Sequence, residues 1–233
     1  MPRKSAVHEQ VRQGRESARR KSGSSAGVEP GRSGHETRQD GLRIGGRTTL
    51  ETEIKFAVET EHPLALESLD YLTPRGAVLD NSINLNFNKK LYELFPGKQI
   101  SVLDLGCSGG GMVRSFIEQG HIAVGLEGSD AGKILQDREW PVIPYNLFNC
   151  DIAKPFVVHT GDKRPYKFDV VTMWEVLEHI REGELDEVFK NIKRHIKVGG
   201  YFIGGVSNYR YYHHVTIKTF EWWVDKIHFA GLS

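Results

Sequence analysis

The sequence predicts an α/β chain built on a doubly wound, mostly parallel sheet, and three observations carry that prediction. Short β-branched runs alternate with helix-length stretches from residue 100 onward, a glycine cluster closes the first run, and acidic residues stand at the ends of the first three. Strands that alternate with helices favour parallel pairing, because each helical crossover returns the chain to the end of the sheet where the previous strand began. In such sheets ligands bind beyond the carboxyl ends of the strands. The residues that carry chemistry are therefore expected where strands end.

Taken in order, residues 1–49 are rich in Gly, Ser, Arg and Gln and hold no aromatic residue. They cannot bury enough apolar surface to offset their ordering entropy, so a disordered basic tail is expected. Residues 1–50 carry eleven Lys or Arg against five Asp or Glu. The chain totals of 31 and 30 then leave 20 basic and 25 acidic residues, a balance of −5, for the rest. A tail of that sign would suit nucleic acid or acidic lipid, whereas an acidic body disfavours nucleic acid.

Residues 50–99 form a lead-in segment, with Phe87, Leu91 and Leu94 at helical spacing before the stop at Pro96-Gly97. The main domain spans residues 100–233. Its strands are expected at ISVLDL (100–105), IAVGLE (122–127), YNLFNC (145–150), FDVVTMW (168–174) and YFIGGVS (201–207). Helices are expected near 110–119, 129–137 and 183–196, and a further one carries Trp222 and Trp223.

Hydrophobic residues are 39% and charged residues 26%, values of a globular chain, and no apolar run approaches the roughly 20 residues of a membrane helix. The start has no apolar core of a secretory signal, so a cytoplasmic location is expected. Cys107 and Cys150 lack metal-type or redox-type spacing and read as packing residues.

The segment Asp104-Leu105-Gly106-Cys107-Ser108-Gly109-Gly110-Gly111 closes the first strand and opens a helix. Glycines let a backbone turn tightly and approach a ligand closely. A dinucleotide-binding loop is the main competitor, yet its G-x-G-x-x-G spacing is absent. Asp104, two residues before the first glycine, would repel a diphosphate and suits a cationic ligand. Glu127 ends the second strand, where a carboxylate can accept from both hydroxyls of a ribose. Asp151 follows the third, placed to accept from an adenine amino group while Ile152 packs on the ring. One such acid is more often a helix cap; three at successive strand ends point to a nucleoside-bearing cation.

VLDLGCSGGG, GLEGSD, NCDI and FDVVTMWEVLEHI together resemble the successive motifs of class I S-adenosylmethionine-dependent methyltransferases, over roughly residues 100 to 207. The EVLEHI segment is most similar to the ubiquinone-biosynthesis O-methyltransferases and their small-molecule relatives. The resemblance implies a Rossmann-like fold and S-adenosylmethionine as cofactor. Asp104 and Gly106 would then lie near its methionine moiety, Glu127 at the ribose, and Asp151 and Ile152 at the adenine. Ser108, Gly109, Gly128 and Trp174 complete the cofactor-binding candidates. Ser108 stands where the family often has glycine. Family members continue past the fifth strand with a helix and an antiparallel pair of strands, so this chain is expected to lack the last two strands.

Glu175, Glu178 and His179 follow the fourth strand, and in a helix they would share one face, leaving Val176, Leu177 and Ile180 to the core. Two readings of that face stay open. In the first, Glu178 orients His179 by a hydrogen bond, as a structural pair or as a catalytic one with His179 as base for an acceptor hydroxyl. In the second, Glu175, Glu178 and His179 hold a divalent metal, Mg, Mn or Zn, with a fourth ligand from His213 or His214, His214 being preferred, and the metal would acidify that hydroxyl. A similar E-x-x-E-H element is a metal site in RNA-terminal 2′-O-methyltransferases and some ubiquinone-pathway enzymes.

O-methylation of a small molecule such as a sugar, phenol or quinone precursor is therefore the leading expectation. RNA 2′-O-methylation with a metal-assisted site and a non-catalytic cofactor-binding fragment are the alternatives.

Overall fold

In the computed structural model, the residues described are 54–232, together with the backbone of β1 (Arg43–Ile44) and β2 (Arg47–Thr48), which pair antiparallel. The rest of the basic tail expected over 1–49 lies outside the described residues. β3 (Ala57–Thr60) leads into two short helices, α1 (Leu69–Leu72) and α2 (Arg75–Leu79). α3 (Leu85–Glu93) is the lead-in helix that the spacing predicts; Leu91 faces the core, while Leu94 caps the end and is exposed.

The sheet follows as β4 (Ser101–Leu105), α4 (Gly111–Glu118), β5 (Ile122–Glu127), α5 (Ala131–Leu135) and β6 (Leu147–Asn149). After β7 (Phe156–His159) come β8 (Phe168–Trp174), α6 (Leu185–His195), β9 (Ile196–Gly205) and α7 (Phe220–Phe229). Five strands form one wholly parallel sheet in the order β6-β5-β4-β8-β9. The chain winds outward from β4 to one side and then, through β8, to the other, so the direction of winding reverses between β4 and β8. That reversal opens a crevice at their carboxyl ends.

β4 is buried along its whole length, as a strand covered on both faces must be, and this explains its unbroken apolar run. Phe116, Val113 and Ile143 pack on one face of the sheet, and Phe168, Phe189 and Ile192 belong to the cluster that includes Leu103 and Leu126. Trp223 is buried in that same cluster, and the two cysteines are buried and free. No helix among the described residues is long and apolar enough to cross a membrane.

Two expectations need correction. The helix expected over 129–137 is cut to five residues because Gln136 turns left-handed, with φ of 51°. The last strand starts at Ile196, not 201, because its first residue pairs with Phe168 before a register shift lets Tyr201 pair with Val170. β7 was not foreseen; it pairs antiparallel with β3 in a separate ribbon.

Between β3 and α3, residues 61–82 run as a strap across the strand ends. Asp151 N–H donates to His62 O at 2.9 Å, Ala65 N–H to Gly128 O at 2.9 Å, and Gly109 N–H to Asp80 O at 3.1 Å. Arg181 reaches Glu67, and Asn81 donates to Glu139 at 2.9 Å. The segment thereby touches the loops that follow β4, β5, β6 and β8.

Candidate active site

The glycine loop after β4 is shaped by the strap as well as by its own turn. Gly106 has a φ of 76°, and a Cβ there would come within 2.4 Å of Val176. A Cβ on Gly109 would come within 2.7 Å of Asp80 O and of Asn81 Oδ1. Glycine is needed at both places for different reasons, backbone conformation at the first and close approach of another segment at the second. Ser108 adopts the left-handed region too, with φ of 51°. That conformation costs a non-glycine residue roughly 1–2 kcal/mol, and here the hydroxyl lies 2.7 Å from Gly76 O and 2.9 Å from Asp80 O.

The three acids stand at consecutive strand ends. Asp104 lies under the loop, 4% exposed, and accepts from Thr172 Oγ1 on β8 at 2.7 Å. Burial pushes its pKa up to about 7, against the Thr172 hydrogen bond, and the charges of Glu127 and Asp80 add to the rise. Glu127 closes β5; its Oε2 accepts from Ser108 N–H at 2.9 Å and its Oε1 from Ser129 N–H at 3.0 Å. Burial raises its pKa although the backbone N–H groups of Ser129, Ser108 and Gly128 oppose the rise. Asp151, just past β6, accepts from Ala153 N–H at 2.9 Å, and burial raises it as well. Ile152 beside it is buried, and Gly128 lies against Ala65 of the strap. Trp174 ends β8, partly exposed and edge-on to Phe87 with ring centroids 4.9 Å apart.

Beyond Trp174 the helical reading of EVLEHI fails. Glu175 takes φ of 51°, and Leu177–His179 form a single 3-10 turn. Glu175 is exposed while Glu178 is fully buried beside Leu177, so the two acids do not share a face with His179. Three bonds from the 207–216 segment dictate this. Glu178 Oε1 accepts from Ser207 N–H at 2.7 Å, and Glu178 O accepts from Val215 and Thr216 N–H at 2.9 and 3.0 Å. The carboxylate is therefore turned to Ser207, not hydrogen-bonded to His179. Its Oε2 is buried without a hydrogen-bond partner, and burial raises the carboxyl's pKa against the backbone N–H groups of Glu178 itself and Ser207.

The partner of His179 is Asp70, from α1 of the strap, with Nδ1 and Oδ2 2.7 Å apart. The same carboxylate takes His213 Nδ1 on Oδ1 at 2.5 Å. Burial acts to raise Asp70, but the two imidazole hydrogen bonds and their charges outweigh it and hold the pKa low. For His179, burial acts downward and is outweighed by the Asp70 hydrogen bond and by the charges of Asp70, Glu178 and Glu175, so its pKa is raised. His214 Nδ1 lies 2.9 Å from Tyr209 O, so its Nδ1 is the protonated nitrogen.

Two groups of prospective cation ligands result, each with one atom per residue within 4.8 Å of the others. They are Glu178 with His179 and His214, and Asp70 with His179 and His213. Of the four metal ligands expected from sequence, Glu178, His179 and His214 come together and Glu175 does not. Asp70 is a member of the site that the sequence does not point to, and His213, the alternative to His214 as fourth ligand, joins Asp70 instead. Beside them lies a cavity of about 410 Å³ lined by Asp70, Arg75, Leu79, His179, Tyr211 and His213 among others.

The chain is 29% identical to a ubiquinone biosynthesis O-methyltransferase of Nitrosomonas europaea over 133 residues, 55% of this chain and 52% of that protein. It is 26% identical to the enzyme of that name from Bartonella quintana over 146 residues, 60% of this chain and 58% of the other. The chain thus spans about half the length of the curated relatives it matches. Among solved structures, a TehB-like SAM-dependent methyltransferase from Corynebacterium glutamicum is similar at 18% identity and a TM-score of 0.47, covering 60% of this chain and 70% of that one. Residues 81–231 match the model of the methyltransferase domain, and with about two thirds of its length inside that match the chain belongs to this family.

Proposed function

We propose that this chain binds S-adenosylmethionine and transfers its methyl group to an oxygen of a small molecule in the cytoplasm. One observation carries the reading: Asp104, Glu127 and Asp151 stand at three consecutive strand ends around a glycine loop, and Asp70, the partner of His179, is near enough for its charge to act on Glu127. The Glu127 carboxylate accepts backbone N–H groups of Ser108 and Ser129, one on each oxygen, and has lone pairs beyond these for a ribose hydroxyl. Asp151 has an oxygen to spare for an amino group, and Ile152 offers an apolar face to a base. The names of the curated relatives support oxygen as the acceptor atom.

In the transfer, a lone pair of the acceptor oxygen forms the new C–O bond as the C–S bond breaks, and the sulfur leaves with that electron pair as a neutral thioether. The hydroxyl proton passes to His179 Nε2, which has no hydrogen-bond partner among the described residues. Alignment of oxygen, carbon and sulfur can contribute roughly 7–11 kcal/mol. In place of a base at His179, Glu178, His179 and His214 would hold a divalent cation, Mg, Mn or Zn, and the unpartnered Glu178 Oε2 suits that use. Such an ion, when bound, lowers the pKa of a coordinated hydroxyl.

Calorimetry with S-adenosylmethionine, followed by a screen of phenols, quinols, sugars and RNA with methyl-labelled cofactor, tests the reading. The expected result is saturable binding, weakened about tenfold or more by Glu127→Ala, and label on a small-molecule oxygen. Absence of binding, or label on RNA alone, would overturn it. Loss of transfer on chelation would mark the cation as part of the site.

A further inference from the structure

Asp70 lies outside the family-matched stretch, yet among the described residues it alone holds two imidazoles of the site. An ionised carboxylate can only accept, so His179 and His213 both carry their protons on Nδ1. The two rings differ at their other nitrogen. His213 Nε2 lies 3.0 Å from Thr73 Oγ1, so that ring, 5% exposed at its side chain, is engaged at both ends. His179 Nε2 has no such partner among the described residues, and its side chain, 21% exposed, lines the cavity. Glu178, the neighbour that could have competed for His179, has one oxygen committed to Ser207.

We propose that Asp70 is the positioning residue of the site: by accepting Nδ1–H it locks His179 in the tautomer that leaves Nε2 bare for the acceptor proton. His213 is the brace rather than a second base. It occupies the other carboxylate oxygen and joins α1 to the 207–216 segment, so that Asp70 cannot swing away. The proposal rests on the reading of the chain as an O-methyltransferase, and on the same geometry Asp70 would orient His179 toward a cation equally well, because a ligating imidazole also donates its second N–H.

Nitrogen-15 NMR of the imidazoles in Asp70→Asn separates this from a structural role. An asparagine amide accepts on one side and donates on the other, so it cannot serve two Nδ1–H groups. At a pH above the raised pKa of His179, wild type should show neutral His179 with its proton on Nδ1; Asp70→Asn should shift it mainly to Nε2, while His213→Gln, whose amide N–H can still donate to Asp70, should leave it on Nδ1. With an acceptor found in the screen, Asp70→Asn should lower kcat about 100-fold or more with KM for S-adenosylmethionine unchanged within about twofold, and Asp70→Glu should recover part of kcat. An unchanged tautomer in Asp70→Asn, a switch in His213→Gln, or a switched tautomer with unchanged kcat would each overturn the proposal. If Asp70→Asn does not fold, Asp70→Glu is read by the same two measurements, where an unaltered His179 signal together with a full loss of kcat counts against it. A wild type that binds S-adenosylmethionine but methylates no oxygen would sink the proposed function instead, and the His179 tautomer would then decide the positioning by itself.

Discussion

The parallel sheet and the strap that crosses it are held by different physics. β4, β5 and β8 are buried and packed on both faces, so their stability comes from apolar area removed from water. The strap keeps Leu66, Leu72 and Leu79 more than half exposed and is held mainly by hydrogen bonds to the strand-end loops. The difference teaches that one part supplies rigidity and the other supplies geometry. Mutations in the sheet should be felt as stability, and those in the strap as function.

Phe116→Ala should break the sheet side most severely. The ring is fully buried between α4 and the strands, and such truncations cost about 3–5 kcal/mol, read as a lower urea midpoint. Next comes acid. His195 on α6 is buried and neutral, accepting from Val158 N–H at 2.9 Å on Nε2, with Nδ1 2.8 Å from Asn191 O. Burial, aided by the charges of Arg194 and Lys167, lowers its pKa from 6.5 to about 4, against the bond to Asn191. The unfolded chain then binds the proton more readily. Stability present above pH 6.5 is therefore lost as the pH falls toward 4, by up to about 3 kcal/mol. Chemical denaturation at a series of pH values should show this decline, and His195→Gln should flatten it.

On the strap side the numbers shrink. Gly109→Ala places a Cβ against Asp80 O and Asn81 Oδ1, at a cost of roughly 1–3 kcal/mol. Faster amide exchange in residues 76–82 with β4 unaffected would sharpen the contrast, and an equal loss of protection in both would break it. Glu67→Ala removes an exposed pair with Arg181 at 3.1 Å and should change stability by no more than about 0.5 kcal/mol. A larger loss would mean that the strap is held by charge after all.

The sheet was legible because burial on both faces leaves a mark in the sequence. IAVGLE and FDVVTMW give β5 and β8 to the residue, and the acids at the ends of β4, β5 and β6 lie where the alternation places them. The strap leaves no such mark. Its apolar residues follow no period, and its bonds go to positions far along the chain, so residues 50–99 read only as a lead-in with one helix. Asp70 had a single local signal, Ser68 as the cap of α1, whose hydroxyl accepts from Asp70 N–H at 3.1 Å. EVLEHI misled for the opposite reason. Its spacing is helical, but the backbone donors of Ser207, Val215 and Thr216 bind Glu178 and impose a tight turn.

The bonds of Asp70 span 109 residues to His179 and 143 to His213. During synthesis α1 leaves the ribosome long before the partners it must find, and closing such long loops is entropically costly until the intervening chain is compact. The pocket is thus completed only when an early segment returns to a surface built by later ones.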